Sequence, residues 1–354
     1  MLAQGEYRKY SNNFLSIGVG GRAHGMGGAV SATTSNVFST QWNPAGLAQG
    51  EAPLCLSAMH AEWFAGILNY DFIGIAKEFN RDKRAYGALS VVRMGIDNIP
   101  NTINLIEPDG SINYDNISSF SAADYGIFLS YGRQLGQSKW DIGGSVKVIN
   151  RRIGPFATAW GFGLDIGVQK HTDRWHLGIM ARDVTTTFNA WSFSFTEAER
   201  TVLQQTDNLV PKSSTELTAP SLITAFARDF PVNEKNSLLI ELDLEFTFDG
   251  QRNTLISSSF TSVDPRIGAE YSFNDRLFLR AGLGNIQRVA DDLNPAAKNT
   301  IVQPHFGIGL NLGRLRIDYA LTNVGDTENT SFSHIFSLLL DFKRSSEEAT
   351  GDNF

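Results

Sequence analysis

Long runs in which every second residue is large and apolar constrain this chain more than any other feature. From Phe156 to Lys170 the even positions Trp160, Phe162, Leu164, Ile166 and Val168 are large and apolar, while Ala157, Ala159, Gly161, Gly163, Asp165, Gly167 and Gln169 are small or polar. Trp140, Ile142, Val146 and Val148 alternate in the same way with Asp141, Gly143, Ser145 and Lys147, and the even positions of Leu238 to Phe248 with Glu241, Asp243 and Glu245. A period of two places the two sets on opposite faces of a strand. Alternation alone does not separate a soluble sandwich from a membrane barrel, but length does. About fourteen runs can be marked from Leu54–Trp63 to Ser333–Phe342, and most reach the roughly 9–11 residues that a tilted strand needs to cross a bilayer. Globular strands are nearer 5–6 residues.

The spacing between runs points the same way. Short turns such as Thr172-Asp173 and Asn274-Asp275 follow even-numbered runs, and the longest connections, residues 96–121, 185–219 and 287–300, follow odd-numbered ones. Short turns at one end and long loops at the other are the pattern of an antiparallel transmembrane β-barrel. The expected fold class is therefore all-β, a barrel of about 14 strands. The turn after the fifth run is also short, a mild exception. The last run ends on the aromatic Phe342, and strand parity places both termini, with a lead-in at Gln4 to Ser16, on the short-turn side.

Composition limits the function classes. A net charge of −7 argues against nucleic acid as the main partner. One cysteine, Cys55, excludes a disulfide framework, and no apolar run reaches the length of a transmembrane helix. The start Met1-Leu2-Ala3-Gln4 lacks the charged region and apolar core of a signal peptide, so an exported form is expected to be already mature. The six histidines are scattered, with His171 and His176 expected to face differently, and no Gly-x-Ser-x-Gly or zincin motif occurs. No catalytic, metal or cofactor site is expected. The acids Glu241, Asp243, Glu245 and Asp291-Asp292 read as solvated lumen or loop charges. Asp165, Arg182, Asp183, Arg280, Arg316 and Asp318, on inward faces or near strand ends, read first as interior salt bridges against whatever fills the barrel and second as a permeation path. Trp63, Trp140, Trp160 and Trp175 read as an aromatic girdle.

One stretch departs from the alternation. Ile17 to Ala48 joins Gly18, Gly20, Gly21, Gly25, Gly27 and Gly28 to a small-residue run and then to Asn43-Pro44-Ala45-Gly46. Glycines permit positive φ and close backbone approach. Ala29 to Ala32 can form a helical turn, Pro44 suits the first turn of a short helix, and Asn43 can cap it. Gly18-Val19-Gly20-Gly21-Arg22-Ala23 also fits the dinucleotide fingerprint, but that motif needs a preceding strand, a following helix and a parallel sheet. The stretch is expected to be a hatch packed inside the barrel.

The opening G-x-G-x-R-A-x-G-M-G-G-A followed by W-N-P-A-G-L-A resembles the PorV/PorQ family of outer-membrane proteins, which is itself similar to FadL-type transporters of hydrophobic compounds. Later stretches such as Gly144-Ser-Val-Lys-Val-Ile149, Leu279-Arg-Ala-Gly-Leu283 and Phe336 to Phe342 extend the resemblance over most of the chain. It implies an outer-membrane barrel in contact with lipid and a non-enzymatic role in type IX secretion, binding the translocon or the C-terminal signal domain of its cargo. The FadL side of the resemblance implies the alternative, transport of hydrophobic small molecules, for which an apolar interior pocket with a lateral opening would speak. The expected division is a lead-in and hatch (1–52), a barrel (53–343) and a polar periplasmic tail (344–354). The hatch motif comprises Gly18, Gly20, Gly25, Gly27, Gly28, Asn43, Pro44, Ala45 and Gly46. In the longest loop, Phe188, Trp191, Phe193 and Phe195 are candidates for partner binding, beside a possible helix over Thr196 to Gln205.

Overall fold

The computed structural model describes residues 6–7, 11–107, 110–206, 208–290, 298–322 and 332–342. Among them, fourteen antiparallel strands close into a barrel: β1 Leu54–Trp63, β2 Leu68–Asn80, β3 Ala85–Asn101, β4 Ser118–Gln134, β5 Trp140–Ile153, β6 Ala157–His171, β7 Trp175–Arg182, β8 Ser221–Asn233, β9 Asn236–Thr247, β10 Ser262–Phe273, β11 Leu277–Ala290, β12 Lys298–Asn311, β13 Leu315–Thr322 and β14 Ser333–Phe342. The ring is completed by β14 against β1, in a register that runs from Phe342↔Leu54 to His334↔Glu62. No described helix is long and apolar enough to cross a membrane.

Turn chemistry explains the tight end of the barrel. Asn274 and Asp275, between β10 and β11, both adopt left-handed φ (53° and 51°), as a type I′ hairpin requires. Gly136 and Gly313 supply the same conformation in two further short turns. At the other end β3 and β4 run to 17 residues each, well past the bilayer requirement.

One sector departs from the expected loop. Residues 185–219 contain two more strands, Thr187–Phe193 and Ser214–Thr218, joined by a helix over Glu197–Gln205. β7 covers the lower part of β6, pairing Ile166 to His171, and Thr187–Phe193 covers the upper part, pairing Ala157 to Phe162. Asp183 and Thr186 take left-handed φ between them. This bulge shifts the phase: odd residues face outward in β7 and even residues beyond it.

The interior is filled by the chain's own beginning. Glu6–Tyr7 pairs in parallel with Glu216–Leu217 at the long-loop end, so the lead-in does not lie on the short-turn side as strand parity suggested. Parity describes only the barrel strands, whereas the hatch descends through the lumen and reaches β1 at the short-turn end. The expected tail 344–354 and Asp291-Asp292 lie outside the described residues.

Candidate functional site: the hatch and the cavities beside it

The hatch touches the wall where side chains are missing from both. A Cβ on Gly282 of β11 would overlap the Met26–Gly27 peptide, one on Gly268 of β10 would come within 2.5 Å of the Met26 carbonyl oxygen, and one on Gly132 of β4 within 2.6 Å of that of Pro44. Gly143 is closed by Pro44 and Gly167 by the Asn43 side chain. Inward glycines on the wall are thus seats for hatch backbone.

Asn43 accepts from the Ala45 amide at 3.2 Å, the cap that its position before Pro44 suggests. Its amide nitrogen also donates to the Ser31 carbonyl at 3.0 Å and to Val168 of β6 at 3.2 Å, which ties the motif to the wall. Pro44, Ala45 and Gly46 are buried in the short helix Pro44–Gln49 that follows. Gly20 donates to the Met59 sulfur and Gly21 to the Ser337 hydroxyl.

Glu241 and Asp243 of β9 are fully buried rather than solvated. Asp243 accepts from the Ser31 amide at 3.0 Å, and Glu241 from the Ala32 amide at 2.6 Å and the Thr33 hydroxyl at 2.5 Å. The helical turn at Val30 to Thr34 hangs on these carboxylates, which satisfy backbone donors that water cannot reach. Arg22 from the hatch pairs with Glu270 at 3.0 Å, Glu270 with Arg280 at 2.5 Å, and Arg280 with Asp318 at 2.7 Å. Lys147 pairs with Asp165 at 2.8 Å and with Asp183 at 2.6 Å. Asp165, Asp183, Arg280 and Asp318 thus form the interior ion pairs expected of them, and Arg182 lies 3.6 Å from Glu245, whereas Arg316 sets its guanidinium over the Phe278 ring; Arg22–Glu270 ties this network to the hatch.

Two side-chain orientations differ from the sequence reading. Trp63 points into the lumen, with its ring 5.9 Å from that of His24, while Trp140, Trp160 and Trp175 stay on the outer face. His171 and His176 are cross-strand partners with Nδ1 atoms 2.9 Å apart, because the short turn between them reverses the chain and returns the second ring to the same face. Among the described residues no group of three or more His, Cys, Asp or Glu could hold a metal ion.

The two larger cavities beside the hatch meet at one residue. The outer one, about 460 Å³, lies between Ile17, Gly28, Trp42 and Trp63 on one side and Arg252, Arg266 and His305 on the other. The inner one, about 260 Å³, is bounded by Arg22, Phe38, Phe278 and Arg316 near the short-turn end. Among the described residues Trp42 alone lines both. Its indole Nε1 donates to the Val19 carbonyl at 2.8 Å. The ring covers Gly18, where a Cβ would run into it, and stands 3.5 Å from the Cβ position of Gly28. Both glycines have positive φ, 81° and 82°.

The loop aromatics separate into two groups. Trp191 is buried and stacks on Phe193, and Phe195 stacks on Phe156. Phe188 faces outward beside Phe162. The helix beside them forms with a capping box between Thr196 and Glu199.

No family model matches the chain, and no curated protein matches it. Solved structures do. The toluene transporter TodX of Pseudomonas putida superposes with a TM-score of 0.61 at 14% identity, covering 93% of this chain and 99% of its own. The CymD monoaromatic hydrocarbon channel gives 0.56 at 13%, covering 93% and 98%. The toluene transporter TbuX of Ralstonia pickettii gives 0.55 at 12%, covering 92% and 98%. This chain has their fold. At such identities the likeness extends to the fold alone.

Proposed function

We propose that this protein is a hatch-gated outer-membrane channel for small hydrophobic molecules. The observation that carries the reading is the pair of cavities on either face of the hatch, parted by Trp42. The outer cavity falls in the size range of small-molecule sites. It offers Ile17, Trp42, Trp63 and Ile286 as apolar surface beside a polar rim. The fold shared with proteins described as toluene transporters and a monoaromatic hydrocarbon channel supports this class of cargo. The test is entry of a monoaromatic hydrocarbon, with a sugar of similar size as control, into liposomes carrying the purified chain. Faster entry of the hydrocarbon alone, relative to liposomes with an unrelated barrel, supports the reading. Equal rates contradict it.

A second reading, a barrel of the type IX secretion machinery that binds its translocon or cargo, is favoured by how firmly the hatch is held. A lumen closed by buried carboxylates and glycine seats suits a barrel that acts through its outer surfaces, with Phe188 among the exposed candidates. Co-purification of translocon components, or of proteins bearing the C-terminal signal domain, from detergent-solubilised membranes supports it. Recovery of the barrel alone counts against it.

A further inference from the structure

The outer wall of the barrel is uneven. On β9 the outward positions from Leu238 to Phe246 are apolar throughout, and Phe248 just past the strand continues the run. At a rise of about 3.3 Å per residue and a tilt of about 40°, they span about 25 Å along the barrel axis, the height of the apolar band on such barrels. On β1 the outward apolar run stops at Ala58, and His60 and Glu62 follow. By the same geometry His60 stands only about 15 Å above the base of its strand, well inside the layer that β9 gives to lipid.

The polar residues continue across neighbouring strands as a row. His60 pairs in register with Asp71, Asp71 with Arg93, and Arg93 with Tyr125, while Glu62 pairs with His334. His60 Nδ1 lies 2.7 Å from Asp71, and Arg93 donates to Asp71 at 3.2 Å. The side chains of His60 and Glu62 are 53% and 57% exposed. Ionisable groups at this depth are costly against hydrocarbon, and in membrane proteins they face a cavity or another protein.

We propose that the β1–β3 wall is a homodimer interface, covered by a second copy of this chain about a two-fold axis along the membrane normal beside β2. The order of charge fits this occupant. The acids Glu62 and Asp71 lie on β1 and β2, and the cation Arg93 lies on β3. A two-fold that sets β2 against β2 brings Arg93 opposite Glu62 of the second copy, each about 20 Å above its strand base. A two-fold interface requires this self-complementarity. Glu62 has spare capacity for such a pair, since the ion pair described for it within the chain is a 3.7 Å contact with His60. This contact is independent of what passes through the lumen.

Thiol crosslinking of the full-length chain in bacterial outer membranes tests it. In a Cys55→Ser background, Ile73→Cys places a thiol on the exposed face of β2, and Leu242→Cys places one on the far wall. Oxidation with copper phenanthroline is expected to give a band of twice the monomer mass from Ile73→Cys and none from Leu242→Cys. Adding Arg93→Glu is expected to abolish the band, and adding Glu62→Arg to that variant to restore it. Heat-modifiable migration verifies that each variant is a folded barrel. Absence of the Ile73→Cys dimer, a crosslink to a protein of different mass, or a dimer indifferent to Arg93→Glu overturns the proposal.

Discussion

Gly282 and Gly144 are both wall glycines, and the structure gives them opposite roles. A Cβ on Gly282 meets the hatch backbone, whereas one on Gly144, on the lipid face, meets only the Asp165 carbonyl oxygen at 3.4 Å. Gly282→Val is therefore expected to destabilise the protein by about 1–3 kcal/mol, as overpacking does, and Gly144→Val to leave it nearly unchanged. Urea midpoints of the folded barrel in detergent check the difference, and equal midpoints would contradict the glycine-seat account. Residue by residue, the sequence was readable wherever the cause is local. The cap from Asn43 follows from its place before Pro44. Its bond to Val168 follows only from tertiary placement, and no local signal announces it. The inward turn of Trp63 is of the first kind, since it continues the odd-numbered inward face of β1 through Cys55, Met59 and Ala61.

At the scale of elements, the strands were legible because a half-buried strand repeats every two residues whatever surrounds it. The segment Thr187–Phe193 was hidden because the bulge at Asp183 and Thr186 breaks that repeat. The attachment of the hatch was hidden for a different reason. Glu241 and Asp243 sit on the polar side of a regular alternation, and that pattern is the same whether the lumen holds water or a packed segment. Glu241→Ala removes the acceptor for the Ala32 amide and the Thr33 hydroxyl, at an expected cost of about 1–3 kcal/mol. Hydrogen exchange should then quicken at residues 30–33 while β9 stays protected. Unchanged exchange there would show that the carboxylates do not hold the hatch. In the long outer segment, Thr196→Ala removes the cap of the Glu197–Gln205 helix, with an expected loss of about 1 kcal/mol. Faster exchange confined to that helix is the readout.

For the whole molecule, loop parity, strand length and a glycine-rich beginning together specified a barrel with something inside it. They did not specify where that segment enters, because the pairing of Glu6–Tyr7 with Glu216–Leu217 is remote in sequence. Nor did they show that Trp42 stands between the two larger cavities beside the hatch. The most direct test of that division is the conductance of single barrels in planar bilayers, wild type against Trp42→Ala, with folding verified by heat-modifiable migration. The wild type should be closed nearly all of the time, and Trp42→Ala should show frequent long openings, since removing the indole joins the two cavities. A Trp42→Ala barrel as closed as the wild type would contradict the gate at Trp42.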